Sequence, residues 1–518
     1  MSTAELTQEI ELKLSVAPAE VATLKMLLAR FGPLTPKRID TTYFDTPTGD
    51  LAARHAVLRL RRVGRRYMQT FKTGDGEQAM AARGEIELPV SRAAIDLRAL
   101  MAAGAPDWLG SLDFTRLRPS FRTVFERAGC RVNEQGSLID LALDLGRIEV
   151  TTPPSRSRLA PPQASAPIAE LELELVSGQP EALFAFVERL VQSSDGALTL
   201  LPLPASKALR GERLARGEPA LQPLAASREV FARVGAGTSS AAVLRAVAGL
   251  AANIVTANLH CLDGPQASLA IHQARVALRR LRSAVRLLAD DADFPEGLRG
   301  QTAWLARALG RARDLDVLVT NTWPQIERFL AQLDSSGALA GSASQLEARI
   351  RAAAAEARGE LLQLRMRPET GQLLRALLAF AASPVPADSP RLTPARAVKV
   401  VQRRCERLLK AGRKFATLEP EAQHRVRILG KRARYAVELL APHLPRRRGE
   451  KLGRALARLQ ERLGLLNDAE VALPILLSMV DDTALAKALI DWRYSLRAAY
   501  VEEAERELKA VREALPLD

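Results

Sequence analysis

Several short runs in the first 210 residues alternate charged and apolar side chains with a period of two. Glu9, Glu11 and Lys13 alternate in QEIELKL, Arg59 and Arg61 in VLRLR, Glu85 and Glu87 in GEIEL, and Glu170, Glu172 and Glu174 in AELELELV, while Lys72 ends TFK. In a strand this spacing sends the charges to one face and the apolar side chains to the other. Any one such run is ordinarily a half-exposed strand with its charges in water. Glutamate is depleted in strands, however, and three of these runs carry Glu-x-Glu while others carry Arg or Lys at the same spacing. A closed or strongly curved sheet with these faces inward makes a polar tunnel. Paired carboxylates offer oxygen ligands to hard divalent cations such as Mg2+ or Mn2+. Guanidinium and ammonium groups hold phosphate oxygens. Both sets in one cavity supply what metal-assisted phosphoanhydride cleavage needs.

A second set of candidate binding residues lies on helices. HQARVALRRLRSAVRLL (272–288) matches HRVRILGKRARYAVELL (424–440) without a gap, and LGRARDLDV (309–317) matches LGLLNDAEV (463–471), placing Asp314 over Asp468. His272, Arg275, Arg279 and Arg282, and likewise His424, Arg427, Lys431 and Arg434, fall at i, i+3, i+7 and i+10. That spacing makes a stripe about 15 Å long on one helix face. A solvated basic face has no reason to keep its register between two repeats, so the stripes point to an extended polyanion. Aromatic residues are 4% of the chain and no helix-turn-helix, zinc-finger or RNP-like pattern occurs, which favours inorganic polyphosphate over a base-bearing polymer. Neither histidine has a His or carboxylate at i+3 or i+4, which disfavours metal ligation there. Asp314 and Asp468 are expected to orient the arginines or to cap turns rather than to do chemistry.

These residues must be positioned by two different kinds of architecture. Strand-like runs alternate with helical patterns at Pro18 to Phe31, Arg92 to Ala103 and Glu181 to Gln192, so the first part reads as an α+β domain dominated by antiparallel sheet. From Ser239 the chain is rich in Ala, Leu and Arg at three- and four-residue spacing, and the repeat implies two related helical bundles. The 518 residues allow two to four domains. Residues 1–210 hold 26 Lys and Arg against 25 Asp and Glu, whereas the remainder holds 48 against 34, so the net charge of +15 belongs almost wholly to the helical half. Three widely separated cysteines, Cys130, Cys261 and Cys405, make neither a disulfide framework nor a zinc site. No apolar run reaches the roughly 20 residues of a membrane span. Glu5, Glu9 and Glu11 stand where a secretory signal carries positive charge, so a cytoplasmic location is expected.

Glu9 to Lys13, EIELK, resembles the ExExK signature of the CYTH family, the triphosphate tunnel metalloenzymes. YFDT (43–46), LRLRR (58–62), TFK, EIE (85–87), FRTVFER (121–127), ALDLG around Asp144, ELELEL (170–175) and Ser206-Lys207 follow in the family's order. The resemblance covers residues 5–212 and implies an eight-stranded antiparallel tunnel that acts on triphosphates with Mg2+ or Mn2+. It implies Glu9, Glu11, Asp144, Glu172 and Glu174 as metal ligands, with Glu9, Glu11 and Lys13 as catalytic residues. Arg59, Arg61, Lys72, Arg127 and Lys207 would bind phosphate, and Glu85 and Glu87 would complete the acidic lining. Arg122 and Arg127 have opposite strand parity; the family pattern favours Arg127. Parity leaves open which two of Glu170, Glu172 and Glu174 approach the metal. Residues 236–513 resemble the CHAD domain, a duplicated helical unit associated with polyphosphate binding, with repeats at about 239–380 and 392–513 after a linker at 213–235.

The expected fold is thus an antiparallel β-tunnel followed by an all-α duplicated bundle. The expected function is hydrolysis of inorganic triphosphate in the tunnel with polyphosphate bound by the helices, in the cytoplasm or at polyphosphate granules. No sequence-specific nucleic acid and no membrane is expected as a partner. The alternatives are a tunnel acting on nucleoside or thiamine triphosphate, including cyclisation of ATP, and a non-catalytic polyphosphate-granule binding protein.

Overall fold

The computed structural model describes residues 9–63, 66–74, 80–151, 164–234, 239–334, 337–515 and 517, with the side chains of residues 9, 63, 81–84, 234, 498 and 499 outside that description. Eight strands form the first unit: β1 (Glu9–Ser15), β2 (Lys37–Asp45), β3 (Ala56–Val63), β4 (Arg66–Thr73), β5 (Met80–Val90), β6 (Arg118–Glu134), β7 (Ser137–Val150) and β8 (Ser165–Ser177). They close as an antiparallel barrel in the order β1-β5-β4-β3-β2-β6-β7-β8, with β8 pairing back onto β1.

The alternation seen in the sequence explains this closure. Leu12 and Leu14, Leu58 and Leu60, Phe71, Leu141 and Leu143, and Leu171 and Leu173 are buried, and each sits at the parity opposite to the charges. The apolar face therefore points outward under covering helices, and the polar face lines the lumen. The covering helices are α1 (Val21–Leu28), α2 (Leu97–Ala102), α3 (Asp107–Gly110) and α4 (Glu181–Gln192). Leu100 and Leu109 join Leu58 and Phe71 in one cluster, while α4 lies on β6 and β8.

One end of the lumen is closed by α5 (Lys207–Ala215), which packs on β6, β7 and β8. Ala208 and Leu214 meet an apolar plug of Tyr43, Phe121, Phe125, Ile148 and Ile168. A Cβ on Gly211 would lie 2.1 Å from the Phe121 ring, so only glycine lets the helix seat this deeply. The expected linker at 213–235 spans the break between the two compact units at Pro223 and Leu224; α5 runs into its start, and its second half contains α6 (Arg228–Val234).

The second unit is helical. It holds α6, α7 (Ser240–Leu259), α8 (Ala267–Leu287), α9 (Glu296–Val317), α10 (Trp323–Leu333) and α11 (Ala340–Arg365). After α12 (Pro368–Ala382) it continues through α13 (Pro394–Ala411), α14 (Pro420–Leu440), α15 (Arg446–Leu477) and α16 (Thr483–Ala514). The two repeats open on N-caps, Ser239 accepting from the Ala242 amide and Thr393 from the Arg396 amide, the latter followed by proline at the first helical position. The repeated basic helices α8 and α14 pack against each other. By length and composition α7 is apolar enough to cross a membrane, which corrects the expectation that no segment is; 61% of its most apolar window is buried within the fold.

The helix α12 departs from the sequence reading, which placed it in the first helical repeat. Residues 366–383 belong instead to the compact unit formed by residues 1–223. Arg375 explains why. Its side chain is fully buried, with Nε 2.7 Å and Nη2 3.3 Å from the two Glu188 carboxylate oxygens on α4. Its Nη1 donates to the carbonyls of Thr199 and Leu200 at 2.5 and 2.8 Å. The same segment lies beside β1, where the Ser15 amide donates to Leu201 O and the Leu203 amide to Lys13 O. Removing the guanidinium leaves a carboxylate and two carbonyls without their partner. Arg375→Ala is expected to lower the stability of the first unit by roughly 3 kcal/mol, read as a lower urea midpoint in equilibrium unfolding. An unchanged midpoint would show that other groups satisfy Glu188 and the two carbonyls.

Candidate functional site

The lumen holds a cavity of about 1360 Å³. Strand register stacks its side chains in rows across β1, β8, β7 and β6. Nearest the plug, Ser15 faces Glu170, Glu170 faces Asp144, and Asp144 faces Arg127. The next row pairs Lys13 with Glu172, and the next places Glu11, Glu174, Asp140 and Arg131 side by side. Arg59, Arg61 and Lys72 line the same cavity from β3 and β4, with Glu85 and Glu87 from β5.

Parity separates the two β6 arginines, and the seating of α5 separates the β8 glutamates. Arg127 lines the lumen, and its Nε and Nη2 each lie 2.7 Å from the Asp144 carboxylate, with Nη2 2.5 Å from Glu172. Arg122 has the opposite parity and pairs with Asp40 outside the barrel. Glu172 and Glu174 line the cavity, whereas Glu170 is fully buried at its floor, 2.8 Å from Arg210 and paired with Lys207.

The floor is an ion cluster built around Lys207 at the start of α5. Its ammonium lies 2.7 Å from both Asp144 and Glu172 and also contacts Glu170. Burial works against its charge, but Glu170, Glu172 and Asp144 outweigh burial and raise its pKa. Arg127 is raised in the same way by Asp144 and Glu172 against burial. Burial pushes Glu172 toward neutrality, yet Lys207, Arg127 and Lys13 hold its carboxyl well below the usual range. Asp144 is the exception, because burial prevails over Lys207 and Arg127 and raises it.

Of the expected metal ligands, Glu11, Glu172 and Glu174 line the cavity, and the Glu9 side chain lies outside the described residues. Oxygens of Asp144, Glu170 and Glu172 lie within 4.8 Å of one another, a spacing that suits a cation. The Lys207 ammonium already contacts all three. Asp144 is thus a counter-ion of Arg127 and Lys207 here, as Glu172 is, and both belong to the group of oxygens at that spacing. The carboxylates of Glu11, Glu172 and Glu174, an all-oxygen set on adjoining strands, fit a hard divalent ion.

The opposite wall is cationic. Lys72 pairs with Glu85 at 2.6 Å, and Arg59 approaches the same carboxylate at 3.5 Å. Arg61 has no ion-pair partner among the described residues, its buried Nε has no hydrogen-bond partner, and burial together with the Arg59 charge lowers its pKa. Lys13 pairs with Glu11. Sequence reasoning missed Lys37, Tyr43, Arg131, Asp140, Arg210 and Glu212. Lys37 and Tyr43 share strand parity with Thr41 but lack an alternating charge pattern, and Arg210 and Glu212 follow Lys207 on a helix whose placement no local pattern reveals.

In the helical unit the two stripes converge. Arg275 Nη1 lies 3.2 Å from Asp314 Oδ1, so this aspartate does orient its arginine. Burial, reinforced by Arg427, Arg279 and Arg275, pulls Lys431 down to about 7. Burial lowers Arg427 to about 10, against the pull of Asp468. His272 falls to about 4 through burial and the charges of Arg313, Arg279 and Arg275. His424 is exposed, with Nδ1 3.2 Å from Asn467 Oδ1. Arg434 pairs with Glu438 of its own helix at 2.8 Å. Arg282 stays half-buried farther along α8.

These two units match two family models: residues 7–200 match the CYTH domain and residues 241–477 the CHAD domain. The chain carries a CYTH domain followed by a CHAD domain. An inorganic triphosphatase of Haemophilus influenzae is 32% identical over 209 residues, which are 40% of this chain and 54% of that relative, so the match spans about half the relative's length. Among solved structures, the CHAD domain of the plant Ricinus communis is similar at 27% identity over 57% of this chain and 95% of that chain, with a TM-score of 0.44. A Hippeastrum protein described as an adenylyl cyclase with a dominant triphosphatase activity is similar at 20% identity over 40% and 96%, with a TM-score of 0.28.

Glu212 lines the cavity from α5 and is held up to about 7 by burial, with Arg216 opposing and Asp45 adding to the shift. Unfolded, it ionises above its ordinary value of 4.5. The stability it contributes is present below that value and is lost as pH rises through about 7. The melting temperature of Glu212→Gln relative to the native chain is therefore expected to climb between pH 4.5 and 7 and to level off above. A difference that stays constant over a pH series of thermal melts would refute the shift.

Proposed function

We propose that the tunnel hydrolyses inorganic triphosphate in the presence of a divalent cation, and that the helical unit binds inorganic polyphosphate. The observation that carries the first part is the division of one cavity into an acidic wall, Glu11, Glu172 and Glu174, and a cationic wall, Arg59, Arg61 and Lys72, above the Arg127–Lys207 floor. The similarity to the Haemophilus influenzae inorganic triphosphatase supports the same reading.

Arg59, Arg61 and Lys72 bind the phosphate oxygens and hold the chain against the far wall. Arg127 and Lys207, kept cationic by Asp144 and Glu170, neutralise charge at the closed end. Glu11, Glu172 and Glu174 would hold Mg2+ or Mn2+, which supplies Lewis-acid polarisation of a phosphoryl oxygen and a more acidic water. In the overall reaction the water oxygen bonds to the terminal phosphorus and the bridging oxygen departs with pyrophosphate. An inorganic substrate is favoured because the cavity's aromatic rings are engaged: Tyr43 stacks on Phe121 at 4.3 Å, and Phe125 lies under Lys207 at 5.2 Å and Arg127 at 5.7 Å. The converging stripes, Arg275, Arg279, Arg427 and Lys431, support the polyphosphate reading, and both activities suit a cytoplasmic protein.

Purified full-length chain with Mg2+ or Mn2+ is expected to release phosphate from tripolyphosphate faster than from ATP, with Glu11→Ala lowering turnover by at least about a hundredfold. Equal turnover of the variant, or none by the native chain, would remove the tunnel as a triphosphatase. Arg279→Glu with Lys431→Glu is expected to abolish retention of long-chain polyphosphate in a filter-binding assay while leaving tripolyphosphate turnover intact. Unchanged retention would show that the stripes are not the binding surface.

A further inference from the structure

Two of the tunnel's cations are placed by a stretch of chain that belongs to none of the eight strands. Residues 199–203 lead from α4 toward α5 and run along β1: Leu14 bridges Pro202, the Ser15 amide donates to Leu201 O at 2.7 Å, and the Leu203 amide donates to Lys13 O at 2.8 Å. Shortly beyond stands Ser206, whose hydroxyl accepts from the Leu209 amide and starts α5 at Lys207. The backbone at Lys13 and the entry of Lys207 into the barrel are therefore set by the same short segment.

That segment begins in an unfavourable conformation. Leu200 has a φ of 45°, in the left-handed region that a bulky side chain avoids and that persists only where the surroundings hold it. The hold comes from α12. Arg375 Nη1 donates to the carbonyl before Leu200, Thr199 O, at 2.5 Å and to Leu200 O at 2.8 Å. One turn earlier on α12, Gly371 packs so closely that a Cβ would stand 2.1 Å from Thr199 O. Thr199 Oγ1 donates to Met366 O at 2.7 Å, and the Thr199 amide donates to Glu20. Glu188 on α4 fixes the guanidinium in turn. Yet α12 lies within residues 241–477, which match the CHAD domain, and outside residues 7–200, which match the CYTH domain.

We propose that α12 is a positioning element of the tunnel, and that Arg375 is a positioning residue which acts through Thr199 and Leu200 to hold Lys13 and Lys207 in place. A helix encoded in the middle of the helical half thus completes the site of the first unit. Lys13 and Lys207 shift together if the segment relaxes, and Lys207 then leaves the Asp144, Glu170 and Glu172 cluster that it balances. Arg59, Arg61 and Lys72 stand on β3 and β4, which β5 separates from β1, so the cationic wall that holds the phosphate chain stays where it is. Loss of the clamp therefore weakens charge stabilisation at the floor more than substrate binding. This kinetic consequence rests on the triphosphatase reading of the tunnel; the placement of the segment by α12 does not.

The test compares the full native chain with two variants. Arg375→Lys keeps a cation beside Glu188 but cannot span that carboxylate and both carbonyls. Leu100→Ala truncates a buried side chain in the cluster with Leu58 and Phe71 and lowers stability without touching residues 199–203. In Arg375→Lys, amide hydrogen exchange at Ser15 and Leu203, followed in EDTA without substrate, is expected to quicken at least about tenfold. Its kcat for tripolyphosphate with Mg2+ is expected to fall about tenfold, with KM within about twofold of the native value. Leu100→Ala is expected to lower the urea midpoint and to change neither readout. If Arg375→Lys does not fold, Thr199→Val, which removes the Oγ1 bond to Met366, is expected to show the same pattern at about threefold. Native exchange rates at Ser15 and Leu203, or a quickening that Leu100→Ala reproduces, would overturn the proposal. Faster exchange with unchanged kcat would also overturn it, since the clamp would then serve the fold alone. Faster exchange confined to the Arg375 variant, in a chain whose native form turns over no tripolyphosphate, would support the placement by α12 and remove the triphosphatase reading instead.

Discussion

A charge removed from water must find an opposite charge or a set of hydrogen bonds, and the barrel obliges more than a dozen ionisable groups to meet that condition inside one closed sheet. Closure follows from the strands, since their apolar side chains have an outer layer of helices to bury against. The lumen is then polar by exclusion. Its stability depends on matching the acidic and basic rows, and the most demanding match is at the floor, where Lys207 balances Asp144, Glu170 and Glu172. Without that ammonium, three carboxylates would share a buried pocket, and the sheet positions carrying Glu172 and Arg127 would lose the neighbours that keep them ionised.

The same condition explains why α5 is seated so deeply. A helix that supplies the central cation must enter the barrel end, which requires Gly211 against the Phe121 ring and an apolar plug to exclude water beneath the ions. Preorganised charge in a water-poor site is also what stabilises a developing phosphoryl charge most strongly. Packing of the plug, pairing of the floor and the proposed chemistry are consequences of one arrangement. The clamp by Arg375 extends it, since the carbonyls it holds belong to the segment that runs along β1 and on toward α5.

The helical unit solves the opposite problem. Its cations outnumber its acids, and the structure pairs some of them, such as Arg275 with Asp314, Arg280 with Glu438 and Arg434 with Glu438, while leaving others together. Burial of Lys431 among three arginines lowers its pKa to about 7, which marks a cluster whose charge is incompletely balanced by the protein itself. The acids that remain are placed to orient arginines and do not cancel the whole field.

Period-two alternation was enough to pick out the runs that became β1, β3, β5 and β8 and to put their charges on one face, because a strand offers only two faces and burial of the apolar one dictates the other. Register between the basic helices was equally legible, because an internal repeat preserves spacing. The choice between Arg122 and Arg127 needed the observed parity of β6, and the separation of Glu170 from Glu172 and Glu174 needed the position of α5. The role of Asp144 as a counter-ion and the attachment of α12 to the first unit were invisible in sequence for the same reason. Each depends on a partner distant along the chain or on a neighbouring element. Local periodicity determines which way a side chain points, and only tertiary packing decides which charge it meets there.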